Sequence, residues 1–177
     1  MRYLYLLLIL TFPFGLIGQN LPHTMTADEQ LAFPEYIKAK HALQNRTAVP
    51  PSGPVRTMAE WEKCQGTVIT WTGFTDILRQ ITDYAQEEGK VFIICSDSNT
   101  VKNSLISNSI PLTNVEYLET GYNSIWCRDY GPWSVYLSDV DSLMLVDWTY
   151  NRPRPLDDAT PTFIADYLGI PRIDMET

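Results

Sequence analysis

Ser124-Ile125-Trp126-Cys127-Arg128-Asp129-Tyr130-Gly131-Pro132-Trp133 packs an aromatic face, a carboxylate and a Gly-Pro turn into one short segment. These parts suit recognition of a guanidinium group, because a planar cation stacks on an indole while its N–H donors meet a carboxylate side-on. Gly131 and Pro132 shape a turn that aims Asp129 inward. The run binds but does not attack, so a nucleophile and a proton carrier have to come from elsewhere.

Outward from this run the chain alternates strands and helices. Upstream, Thr67–Trp71, Val91–Cys95 and Asn114–Leu118 read as strands. Between the first two, Ile77, Leu78, Ile81, Tyr84 and Ala85 recur at helical spacing, bounded by a Thr75 cap and Gly89. Val101 and Leu105 mark a second helix. Downstream, strands Trp133–Leu137 and Leu143–Trp148 flank the turn Ser138-Asp139-Val140-Asp141-Ser142. Thr160 as cap with Pro161 at the first helical position opens a last helix that stops at Gly169, and Pro171–Met175 begins another strand. The class is α/β, with loose repetition of α/β units.

The N-terminal part reads differently. Leu4–Ile17 is almost unbroken apolar sequence behind Arg2, too short for a comfortable membrane span. Residues 1–18 read as a cleaved secretory signal, with a retained N-terminal anchor as the rival; cleavage places the mature protein outside the cytoplasm, secreted, periplasmic or at the cell surface, and free of the membrane. Residues 19–54 form a polar lead-in that closes on Val49-Pro50-Pro51-Ser52-Gly53-Pro54. Within it, Thr26-Ala27-Asp28-Glu29 has capping-box spacing for a short helix that Pro34 should limit. Residues 55–177 make up the remaining domain.

Loss of Arg2 with the signal moves the net charge from −8 to −9. Such an acidic protein is not a phosphate-backbone binder, whereas a cationic substrate is drawn to it. Cys64, Cys95 and Cys127 lie far apart without a C-x-x-C pair, so neither a zinc site nor a disulfide framework is indicated, and no cofactor is expected. As a nucleophile Cys127 would need a base, yet the two histidines, His23 and His41, both sit in the lead-in. Cys127 therefore reads as structural.

Three readings of the remaining residues stay open. Trp126 is either core or a stacking platform, and Asp129 either a local ion-pair partner of Arg128 or the carboxylate a buried guanidinium requires. Arg152-Pro153-Arg154-Pro155 is either a solvated basic turn or a proline-stiffened pair of planar forks able to clamp a carboxylate.

Trp126–Pro132, followed by Val146-Asp147-Trp148-Thr149-Tyr150-Asn151-Arg152-Pro153-Arg154-Pro155, resembles the agmatine deiminase and bacterial (Porphyromonas-type) peptidylarginine deiminase family; Gly53–Glu62 is similar to the start of its catalytic domain. The resemblance implies a pentein fold, a five-module α/β propeller, of which this chain would hold about the first two modules. It implies hydrolysis of a guanidinium to a ureido group and ammonia by a cysteine, a histidine and two aspartates. Asp129 would be the first aspartate, side-on to the guanidinium, and Trp126 would pack on that plane. The cysteine, the histidine and the second aspartate would lie in later modules, so this chain alone is expected to be inactive. In peptidylarginine members such arginines hold the free α-carboxylate of a C-terminal arginine, which agmatine lacks. Arg152 and Arg154, with the secretion signal, therefore favour an arginine-peptide substrate. The alternatives are an agmatine deiminase serving putrescine synthesis and a noncatalytic arginine-binding module.

Overall fold

Val91-Phe92-Ile93-Ile94-Cys95 is apolar at every position because both faces of its strand are covered. The computed structural model describes residues 24–47, 51–138 and 142–175. It places this run in β3 (Lys90–Cys95), the middle of a three-stranded parallel sheet between β2 (Gly66–Thr70) and β4 (Val115–Glu119). Val91, Ile93 and Cys95 enter one core with Trp71, Val101 and Leu105. Phe92 and Ile94 enter another with Leu118, Tyr130, Leu145 and Ile164. Each such aliphatic side chain contributes roughly 1.5–3 kcal/mol by leaving water. The central strand thus ties two layers together.

The crossovers are α2 (Thr75–Glu88) and α3 (Ser98–Ser107). α3 starts on Asp97, whose carboxylate accepts the Asn99 and Thr100 N–H groups at 3.0 and 3.2 Å. α2 departs from expectation on its faces. Leu78 and Ala85 pack inward beside buried Thr82 and Gln86, while Ile77, Ile81 and Tyr84 are exposed. Thr82 satisfies its own hydroxyl on the Leu78 carbonyl at 2.8 Å, which lets it stay buried on that face. Thr75 makes no cap; Phe74 holds that position without a side-chain bond.

The second sheet has the order β1 (Val55–Thr57), β5 (Trp133–Leu137), β6 (Leu143–Trp148), β7 (Arg172–Met175). β5 and β6 form the expected antiparallel hairpin, closed by Leu137 N–H to Ser142 O at 3.0 Å, with residues 139–141 of its turn outside the described set. β7 pairs parallel to β6 after α5 (Pro155–Asp158) and α6 (Thr160–Leu168). Gly169 ends α6 in the left-handed region at φ 65°, as expected. Thr160 is not its cap. It is buried, and its hydroxyl turns back to the Leu156 carbonyl at 3.4 Å, because α5 runs almost directly into α6.

The lead-in forms α1 (Ala27–Thr47), far longer than Pro34 was expected to allow. Its first turn carries the anticipated capping box, with Thr26 N–H to Glu29 Oε2 at 2.8 Å and Glu29 N–H to Thr26 Oγ1 at 3.2 Å. Pro34 faces outward, whereas Phe33, Tyr36, Ile37 and Lys40 form a half-buried stripe at helical spacing. Lys40 also pairs with the buried Asp158 carboxylate. Tertiary packing of that stripe outweighs the proline's interruption. The signal-peptide expectation over residues 1–18, and His23, lie outside the described residues. Among the described residues no helix is long and apolar enough to cross a membrane.

Candidate functional site

The informative run is anchored by a residue from far along the chain. Asp157, fully buried, accepts the Asn123 and Ser124 N–H groups at 2.6 and 3.0 Å and the Ser124 hydroxyl at 2.7 Å. Asn123 Oδ1 in turn accepts the Leu156 N–H at 2.9 Å. Burial pushes the Asp157 carboxyl up, and the three donors pull it back. This exchange fixes the approach to Trp126.

One helical turn, α4 (Cys127–Tyr130), follows. It is pinned by Tyr130, only 1% exposed, whose hydroxyl lies 2.6 Å from Thr70 Oγ1 and donates to the Ser124 carbonyl at 3.2 Å. Gly131 closes the turn with its N–H on the Cys127 carbonyl at 2.8 Å. A Cβ there would stand 2.5 Å from that same oxygen, so the close approach demands glycine. Pro132 then leads into β5. Cys127 is half-buried with its Sγ 3.7 Å from the Val68 carbonyl, and burial pushes its thiol up, away from the thiolate a nucleophile needs. That agrees with a structural role.

Trp126, Asp129, Arg152 and Arg154 line one recess of about 150 Å³, together with Tyr150 and Asn151. A water occupies about 30 Å³ of the liquid, so the recess admits a group of several heavy atoms. Trp126 is half-buried against the second core. Tyr150 is buried, edge-on to Tyr130 at 5.8 Å and to Trp148 at 6.0 Å, which stiffens the recess floor. Asp129 was expected to point inward, but it stands exposed at the rim, because the α4 turn spends its inward position on Tyr130. Among the described residues the Asp129 carboxylate accepts no hydrogen bond. A larger cavity, about 470 Å³, lies between the sheets and is lined mainly by apolar groups such as Val68, Phe92, Ile94 and Leu145. A further cavity of about 470 Å³ is lined by charged groups, among them Lys40, Asp147, Asp158, Asp166, Arg172 and Asp174. The residues of the two quoted motifs, Trp126, Asp129, Arg152 and Arg154, converge instead on the smaller recess.

The two arginines differ. Arg152 is half-buried with Nη1 on the Asn151 carbonyl at 2.9 Å. Arg154 is 6% exposed, and its fork donates to Glu29 of α1, Nε to Oε1 at 2.7 Å and Nη2 to Oε2 at 3.5 Å. Neither is the solvated turn residue that was one of the open readings. The Arg154 guanidinium holds the Glu29 carboxyl below its ordinary value. A carboxylate lowered on folding adds stability that is complete above the unfolded value of about 4.3 and is lost as pH falls through the folded one. Amide protection in the first turn of α1 should therefore fall on acidification below about pH 4, and Glu29→Gln should remove that transition; hydrogen exchange measured across the titration checks it. Glu62 supplies a second acid-labile contact. Its carboxylate meets the Arg56 fork at 2.8 and 2.8 Å and lies held down at about 2.

Residues 56–176 match the family described as Porphyromonas-type peptidyl-arginine deiminase. The chain belongs to that family. A solved structure described as a candidate peptidyl-arginine deiminase is 23% identical, over 68% of this chain and 40% of its own, with a TM-score of 0.53. A candidate arginine deiminase from Porphyromonas gingivalis is 18% identical over 68% of this chain and 40% of its own, TM-score 0.56. The agmatine deiminase of C. jejuni is 18% identical over 72% and 42%, TM-score 0.56. At these identities the likeness is one of fold, a mixed α/β arrangement. This peptidyl-arginine deiminase family member spans only 40–42% of the length of those structures.

Within this deiminase-family chain, sequence spacing had not marked Tyr150, Asn151, Asp157 or Glu29 as part of the site. Tyr150 and Asn151 lie inside the second quoted motif, between the strand and the arginines. Asp157 and Glu29 act across 33 and 125 residues of chain, which no local pattern registers. Among the described residues no three His, Cys, Asp or Glu side chains converge as metal ligands would.

Proposed function

We propose that the chain supplies the guanidinium-binding end of a secreted protein-arginine deiminase, built as about the first two modules of a five-module α/β propeller, acting on C-terminal arginine of peptides. The convergence of Trp126, Asp129, Arg152 and Arg154 on one recess carries this reading. Asp129 takes two guanidinium N–H groups side-on, keeping the group cationic and its carbon electrophilic. Trp126 packs on the guanidinium plane. Arg152 and Arg154 hold the α-carboxylate, a task suited to planar forks. Hydrolysis also needs a nucleophile and a proton carrier. Neither Cys127 nor His41 borders the recess, so those roles fall to other groups of the active protein.

In the active protein, replacing Arg152 and Arg154 together with Ala should lower kcat/KM for arginine-terminated peptides at least about tenfold, since each charge-assisted contact is worth roughly 1.5–3 kcal/mol. Agmatine and amidated arginine should be handled nearly as before. Parallel assays on the two substrate types check this, and equal losses on both would remove the clamp.

A second reading, an agmatine deiminase, is favoured by one observation. The Arg154 fork is already matched by the Glu29 carboxylate, which suits a substrate without a carboxylate of its own.

A further inference from the structure

We infer that Glu29 is an internal competitor for the substrate's carboxylate, so that the first turn of α1 must yield before an arginine with a free α-carboxylate can engage Arg154. The inference rests on the proposed role of Arg154. Its own support is the geometry. Glu29 meets the Nε and Nη2 edge of the fork with both carboxylate oxygens, at 2.7 and 3.5 Å, the side-on arrangement an incoming carboxylate would use. Arg154 is 6% exposed, so a second carboxylate cannot reach that edge while Glu29 stays. That edge holds one carboxylate side-on at a time, so on it the two acids exclude each other.

The local structure makes exchange feasible without dismantling the lead-in. Glu29 lies in the first turn of α1, where helix ends fray most readily. Other anchors of the helix, the Lys40 to Asp158 ion pair and the half-buried Tyr36 and Ile37, sit two to three turns further on, about 5.4 Å per turn. Glu29 also closes the capping box with Thr26, so its departure from Arg154 and the loosening of the helix start are coupled. A ligand carboxylate takes the place of the internal one on Arg154, and the freed Glu29 side chain returns to water. A carboxylate-free guanidine has no such contest. The lead-in would thus bias the site toward ligands such as agmatine until the turn opens.

Glu29→Gln tests this cleanly, because Gln keeps the capping-box geometry and loses only the charge. The probes are Nα-acetylarginine and Nα-acetylargininamide, with affinity read by calorimetry on the intact protein. The acid should bind about tenfold tighter to the variant than to the parent, and the amide equally to both. In the parent protein, hydrogen exchange at the Glu29 and Gln30 amides should speed up with the acid and not with the amide. This second measurement needs no variant. Unchanged acid affinity in Glu29→Gln with no exchange response overturns the competition. If the amide still binds and Asp129→Asn weakens it, the binding site survives and competition alone fails. If the amide binds equally to Asp129→Asn, the site reading fails as well.

Discussion

In the active protein proposed above, Asp129→Asn should lower kcat/KM at least about a hundredfold, to the same degree for arginine-terminated peptides and for agmatine, because both present the same guanidinium. A side-on pair contributes two charge-assisted hydrogen bonds of roughly 1.5–3 kcal/mol each. An amide replaces one acceptor by a donor that faces the guanidinium N–H groups, so about 3 kcal/mol is a conservative loss, and each 1.36 kcal/mol is tenfold in rate. Asp129 is exposed at the rim and accepts nothing among the described residues, so the fold has little to lose. The melting temperature should stay within a degree or two of the parent, which separates this loss from unfolding. Steady-state kinetics on both substrates, with the melting curve alongside, are the measurement.

Asp157→Ala should destabilise the folded chain by about 3–5 kcal/mol, a large part of the 5–15 kcal/mol typical of a domain. The substitution strands two backbone N–H groups, those of Asn123 and Ser124, and a hydroxyl that had bonds of 2.6, 3.0 and 2.7 Å. An unsatisfied buried donor costs roughly 1–3 kcal/mol. The hydroxyl can rotate to another acceptor, and this keeps the total below the sum of three. Asp157→Asn retains one acceptor oxygen and should cost less than half as much. Urea denaturation of the three proteins orders them. Because the same loop carries Trp126, the alanine variant should also lose ligand binding before it loses global structure.

The strands and the α3 helix were legible because each reports its own burial. Val91–Cys95 is apolar throughout and lies between two cores, and Val101 and Leu105 are both fully buried. β1 was not legible, since all three of its residues are exposed and it forms only by pairing with β5. α2 misled for the opposite reason. Its apolar spacing is real, but Ile77, Ile81 and Tyr84 face away from the sheet that Thr82 and Gln86 approach. Pro34 was read by its local cost, which the half-buried stripe of Phe33, Tyr36, Ile37 and Lys40 outweighs. At the site, the Trp126 and Arg152 motifs pointed to one place, and the structure brings them to one recess. The partner of Arg154 stayed hidden because it lies in the lead-in, where Glu29 had only a helix-capping role to announce it.

Recognition of a guanidinium cation by this recess, as proposed, runs through Asp129. Agmatine and its ureido counterpart have nearly the same shape, differ in charge, and avoid the contest at Arg154. Calorimetric titration of the protein with each should give at least tenfold tighter binding of agmatine, a difference that Asp129→Asn abolishes. Equal affinity for the two ligands, or a preference that survives in Asp129→Asn, would contradict the account.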